Sequence, residues 1–249
     1  MNKKIMIPVV ALSLMAVIFG GCSGGGATGT LQFRANGEDF VRQGFVSKDG
    51  WSITFDHVYI TLSEITAYQT DPPYDPTSGT AIDPDATVKL DEVYTIDLAE
   101  GDENAAPIMV AELTDVPVGH YNAISWKMSK AASGVSAGHA LVVIGTAEKD
   151  GQSMNFTINI DEECDYECGE YVGDVRKGIL EDGGTADLEM TFHFDHIFGD
   201  GDLPEDDELN MAAVGFQPFA DGLDAASVIN MTDMHLGHVG EGHCHCGCE

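Results

Sequence analysis

An antiparallel β-sandwich carrying an irregular C-terminal lobe is the fold that this 249-residue sequence predicts. Runs alternating apolar with polar residues, rich in β-branched and aromatic side chains, dominate from Leu31 to Phe198, and period-two alternation is the mark of half-buried strands. Acidic loops bearing Pro and Gly separate these runs. Beyond Phe198 the alternation stops, and acidic turns with a few apolar residues take over. A mainly β sandwich is the simplest architecture that buries so many short strands.

The elements follow in order. The chain opens MNKKIMIPVVALSLMAVIFGGC, two lysines and then an apolar run too short for a comfortable membrane span, ending in small residues. That is the form of a bacterial export signal. Ile18 to Cys22 (IFGGC) resembles a lipobox, although Phe19 is bulkier than usual; the resemblance implies cleavage before Cys22 and acylation of its thiol. Each buried acyl methylene contributes about 0.8 kcal/mol, enough in sum to hold a protein on a membrane without a spanning helix. Ser23, where no acid follows the cysteine, points to the outer membrane. The expected organisation is a signal peptide over 1–21, a flexible tether over 22–30, a sandwich over 31–198 and a lobe over 199–249 packed on it.

Within the sandwich, Trp51 to Gln69, Tyr121 to Ser129 and His139 to Ile160 read as strands. The last is a hairpin, since Lys149-Asp150-Gly151-Gln152 supplies a turn between one arm with Val142 and Ile144 and another with Met154, Phe156 and Ile158. Trp126 and Met128 alternate with Lys127 and read as core. Gln69 to Lys89, dense in Pro and Asp, reads as a solvated loop. One short helix is expected near Glu208 to Val214.

Composition narrows the function. With 42 acidic against 11 basic residues the formal charge is −31, and removal of the signal, which holds Lys3 and Lys4 and no acid, makes it two units more negative. Such a surface repels nucleic acid and anionic lipid and attracts cations. There is no Gly-x-Ser-x-Gly elbow and no phosphate loop, and carboxylates are too numerous for any pair of them to indicate a glycosidase.

Two blocks carry ligand chemistry. In TFHFDHIFGD, Thr191 to Asp200, a strand would send Leu188, Met190, Phe192 and Phe194 inward and put His193 and Asp195 together on the other face. His196 falls on the core side and joins them only if the strand ends or bulges there. Imidazole with carboxylate suits zinc and other first-row divalent ions. The closing MHLGHVGEGHCHCGCE sets His235, His238, His243, Cys244, His245, Cys246 and Cys248 within sixteen positions, among glycines that free the backbone to wrap an ion. Export complicates the thiols, because an oxidising compartment favours disulfides. Once Cys22 is acylated five cysteines remain, so all cannot pair; Cys164 and Cys168 close a small loop, or one of them bridges to the tail. The acidic run Asp200 to Asn210 offers oxygens for calcium but lacks the EF-hand spacing. His57, His120 and His139 stand alone and read as structural.

FHFDHIFGD (192–200), DELN-AA-VGF (207–216) and LGHVGEGHC (236–244) together resemble a group of uncharacterised bacterial envelope lipoproteins in which these blocks recur in this order. DHVYITLSEITAY, followed by LTDVPVGHYNAISWKMS, is similar to prealbumin-like β-sandwich lipoproteins. The resemblances imply a metal-associated prealbumin- or Ig-like sandwich and supply no substrate. The expected protein is therefore a lipid-anchored envelope protein that captures, buffers or delivers zinc or copper, with His193, Asp195, His196, His235, His238, His243 and Cys244 as ligands and an envelope metal-transport protein as partner. A calcium-stabilised surface adhesion module and a metalloenzyme with an open metal position are the alternatives.

Overall fold

A computed structural model gives the fold and describes residues 26–169, 177–239 and 244–249. The signal, Cys22 and His243 lie outside the described residues. The first half of the chain runs β1 (Thr28–Asn36), α1 (Glu38–Gln43), β2 (Phe45–Val46), β3 (Ser52–Gln69), β4 (Ala86–Lys89), β5 (Tyr94–Asp97), β6 (Ile108–Pro117) and β7 (Gly119–His120). Then come β8 (Ala123–Met128), β9 (Leu141–Lys149), β10 (Gln152–Ile160), β11 (Cys164–Gly169), β12 (Ile179–Leu180) and β13 (Thr185–Phe192). Short helical turns follow: α2 (Asp195–Phe198), α3 (Glu208–Ala212), α4 (Gln217–Ala220), α5 (Ala225–Val228) and α6 (Met231–Met234). The chain ends in β14 (Gly237–His238) and β15 (Cys244–Cys248).

Two main sheets result. The larger has the order β10-β9-β3-β8-β11-β15, with β2, β4 and β5 also pairing β3; the smaller has the order β14-β13-β1-β6. Their apolar faces meet in one core, where Trp126 of β8 meets Phe192 of β13 edge-on at 6.1 Å. Long β3 serves five partners because its register shifts twice, between Phe55 and His57 and between Ser63 and Thr66. Such bulges bend a strand and re-aim it.

The hairpin forms where the turn signal predicts, with Gln152 opposite Lys149. Asp150 and Gly151 both have positive φ, 52° and 78°, the requirement of the type I′ turn whose twist matches its strands. On the first arm Leu141, Val143 and Ala147 line the core with Phe156 and Ile158 of the second, while Val142 and Ile144 take the other face. The Phe156 ring lies over Gly145, where a Cβ would come within 2.9 Å of it. Two boundaries shift: β1 begins at Thr28, inside the stretch expected to be a tether, and Ala86–Lys89 of the expected loop forms an edge strand on β3.

One pairing departs from the antiparallel expectation and sets up the site. β1 and β13 run parallel, in register from Thr30 opposite Thr185 to Asn36 opposite Thr191. Parallel neighbours finish at the same end of a sheet, so the residues after Asn36 and after Phe192 emerge side by side. β14 pairs antiparallel with β13, placing His238 opposite Thr191. Three distant chain segments thus converge at one sheet end.

The C-terminal turns are held from inside. Asn210, buried, donates through Nδ2 to the carbonyls of Asp200 (2.9 Å), Leu203 (3.2 Å) and Pro204 (3.0 Å) and accepts from the Asp200 amide (2.8 Å). Lys48 Nζ donates to the carbonyls of Asn210 and Ala213, closing α3. Phe216 packs on Trp51 (5.3 Å), Phe156 (5.0 Å) and Phe198 (6.1 Å), joining these turns to the large sheet.

Candidate metal centre

β13 stops at Phe192, and the chain turns into α2. Phe194 stays in the core, fully buried, which anchors the turn while His193 and His196 fall on one side, three residues apart. Their rings stack with centroids 5.2 Å apart. The His238 ring stands edge-on to both, at 4.6 Å from His193 and 5.4 Å from His196. Asp195 completes the group: its carboxylate and one ring nitrogen each of His193 and His196 lie within 4.8 Å of one another. The condition under which His196 joins the site, an early end to the strand, is met.

Hydrogen bonds fix which nitrogen of each ring carries the proton. His196 Nδ1 lies 2.8 Å from the Met234 carbonyl and His238 Nε2 lies 2.9 Å from the His235 carbonyl. A carbonyl only accepts, so these nitrogens donate, and on His196 the lone pair resides on Nε2. His193 Nδ1 is 3.2 Å from Glu38 Oε2, and its Nε2 is buried with no hydrogen-bond partner. A carboxylate holding one imidazole nitrogen while the other presents its lone pair is the arrangement that orients histidine for a metal.

Electrostatics agree. The hydrogen bond to His193 holds the Glu38 carboxyl below the usual carboxylate range; burial opposes this, and the charges of His193, His238 and His196 reinforce it. Burial pushes Asp195 upward, against the pull of His196 and His193. A buried carboxylate beside a buried unpaired nitrogen is costly unless a cation compensates both. Backbone strain also gathers here. Among the described residues, Glu38 (φ 58°) and His235 (φ 45°) are two of five non-glycine residues in the left-handed region, a conformation that costs energy and persists where the surroundings enforce it.

Of the residues expected as ligands, His193, Asp195, His196 and His238 come together. His235 does not join them through its side chain, which is exposed; it caps α6 in the left-handed conformation and contributes its carbonyl to His238. Cys244 is a correction, since its sulfur is bonded to Cys168 and offers no thiolate. Glu38 was missed. Its only sequence signal is a carboxylate two residues beyond the end of TGTLQFRAN, and nothing local ties that to FHFDH.

The thiol-rich end is a strand stapled to its neighbour. Cys164 pairs with Cys248 and Cys168 with Cys244, each directly opposite its partner on β11 and β15. Both bonds therefore tie the tail to the sandwich, and no small Cys164–Cys168 loop forms. Two disulfides suit an oxidising, extracytoplasmic compartment. Cys246 keeps a buried thiol, whose pKa burial raises. The acidic run 200–210 gathers no ligand group among the described residues; Asn210 takes three of its carbonyls. No described helix is long and apolar enough to cross a membrane.

What the fold and site define is a mainly β protein, built on two main sheets, with a histidine–carboxylate cluster at one sheet end. Comparison with protein families, curated proteins and solved structures finds no match for this chain.

Proposed function

We propose that this is a lipid-anchored protein of the bacterial envelope that captures, buffers or delivers a transition metal ion, zinc or copper. His193 Nε2, His196 Nε2, the Asp195 carboxylate and the adjacent His238 ring are its ligands, and Glu38 orients His193. One observation carries the reading: the buried Nε2 of His193 has no partner while its Nδ1 is held by Glu38. Three imidazoles and a carboxylate make a donor set for zinc or copper rather than for calcium, which takes oxygens. The acidic surface concentrates cations near the site, and the partial exposure of His193 and His196 lets an ion pass to a transport partner. Cys22 and the N-terminal lipid supply the anchor in this reading, with the outer membrane as its site.

Metal analysis of tag-free protein tests it. One equivalent of zinc or copper is expected, lost in His193→Ala and in His238→Ala. Affinity should also fall in acid, because protons compete with the metal for its ligands. Undiminished stoichiometric metal in both variants would overturn the assignment.

A further inference from the structure

β15 carries a second cluster, independent of the histidines. Cys244, Cys246 and Cys248 alternate along the strand and so share its inner face, opposite Cys168, Tyr166 and Cys164 of β11. The sulfurs of Cys164, Cys246 and Cys248 lie within 4.8 Å of one another, with Cys246 Sγ only 3.6 Å from Cys248 Sγ. A metal bound by thiolates at about 2.3 Å needs its sulfurs about 3.8 Å apart. The backbone ladder therefore holds three sulfurs near ligating distance, with one bond, Cys164–Cys248, closing the set. A separate feature at the same place is Tyr166, fully buried, whose hydroxyl has the Cys246 thiol as its polar neighbour.

We infer that reduction of Cys164–Cys248 opens a second metal site, in which the thiolates of Cys164, Cys246 and Cys248 bind a soft cation of the cuprous kind. A dithiol reductant supplies the two electrons. One of its sulfurs attacks the disulfide, its second sulfur closes on the first, and the products are a cyclic disulfide and two protein thiols that receive the dithiol's two protons. Metal binding then displaces the thiol protons to solvent. Soft thiolates select cuprous ion over the harder divalent ions, and the Tyr166 hydroxyl is placed to donate to a thiolate. Cys168 and Cys244 lie outside this group; their own bond opens under the same reductant, so a double variant at these two positions isolates the three sulfurs.

The experiment uses the full chain, reduced anaerobically with dithiothreitol, desalted and titrated with cuprous ion held by bicinchoninate. Reduced protein is expected to take one more equivalent than oxidised protein. Cys246→Ser should lose that extra equivalent, whereas the double variant Cys168→Ala, Cys244→Ala should keep it. The difference between oxidised and reduced protein is read within each variant, so it does not depend on whether the histidines hold an ion. Retention of the extra equivalent by Cys246→Ser, its loss in the double variant, or collapse of the β signal in circular dichroism on reduction would each overturn the inference.

Discussion

Glu38 is where residue-level chemistry is most exposed to test. Its carboxylate reaches His193 from a strained backbone at the start of α1, and in the proposed site it would act on an ion only through that ring. Outer-shell partners of this kind typically govern 10- to 100-fold in metal affinity. Glu38→Gln keeps the shape and a weaker acceptor while removing the charge, so we expect zinc or copper affinity to fall by about that factor with the stoichiometry kept. A competition titration against a chromogenic chelator measures it, and unchanged affinity would remove Glu38 from the site. His235 gives the contrasting case: its exposed ring is dispensable in this arrangement because only its carbonyl is used, so His235→Ala should bind metal as the parent does. The sequence shows both histidines equally well. It does not show which atom of each is used, because that depends on the left-handed turn after α6.

At the scale of elements, β14 has two residues, and its position rests on close contact with the core. A Cβ on Gly237 would lie 2.8 Å from Tyr166 Cε1 and 3.0 Å from Trp126 Cζ2, and those buried rings are stacked on each other at 5.2 Å. Gly237→Ala should cost about 1–3 kcal/mol as overpacking, lower the melting temperature by several degrees, and weaken metal binding by shifting His238; calorimetry and a binding titration on the same variant check both. The legible elements were those whose information is local. The Asp150-Gly151 turn fixes its hairpin within twenty residues, and FHFDH crowds three candidate ligands into one strand exit. The parallel pairing of β1 with β13 was not legible: alternation reads the same for either strand direction, and the partners are separated by most of the chain. Glu38 was hidden for the same reason. Cys244 was misread because a thiol among histidines looks like a ligand until β11 is seen to set Cys168 directly opposite it.

Across the whole molecule, the site joins segments that tertiary structure alone brings together: the exit of β1 through Glu38, the exit of β13 through His193 and His196, and the tail through His238. An ion held there opposes separation of β1, β13 and β14, so its binding energy becomes folding energy. The formal charge of −31 adds to the effect, since self-repulsion weakens the compact state and each bound divalent cation relieves part of it. Free metal at a hundredfold excess over its dissociation constant stabilises by about 2.7 kcal/mol, which for a chain of this size raises the melting temperature by roughly 5–10 °C. Differential scanning calorimetry of oxidised protein with zinc and with a chelator should show that shift. His193→Ala should abolish it, and calcium in place of zinc should give no more than the smaller rise expected from screening of the acidic surface, reproduced by magnesium. An equal rise with calcium that survives His193→Ala would move the stabilising ion from the histidines to the acidic loops.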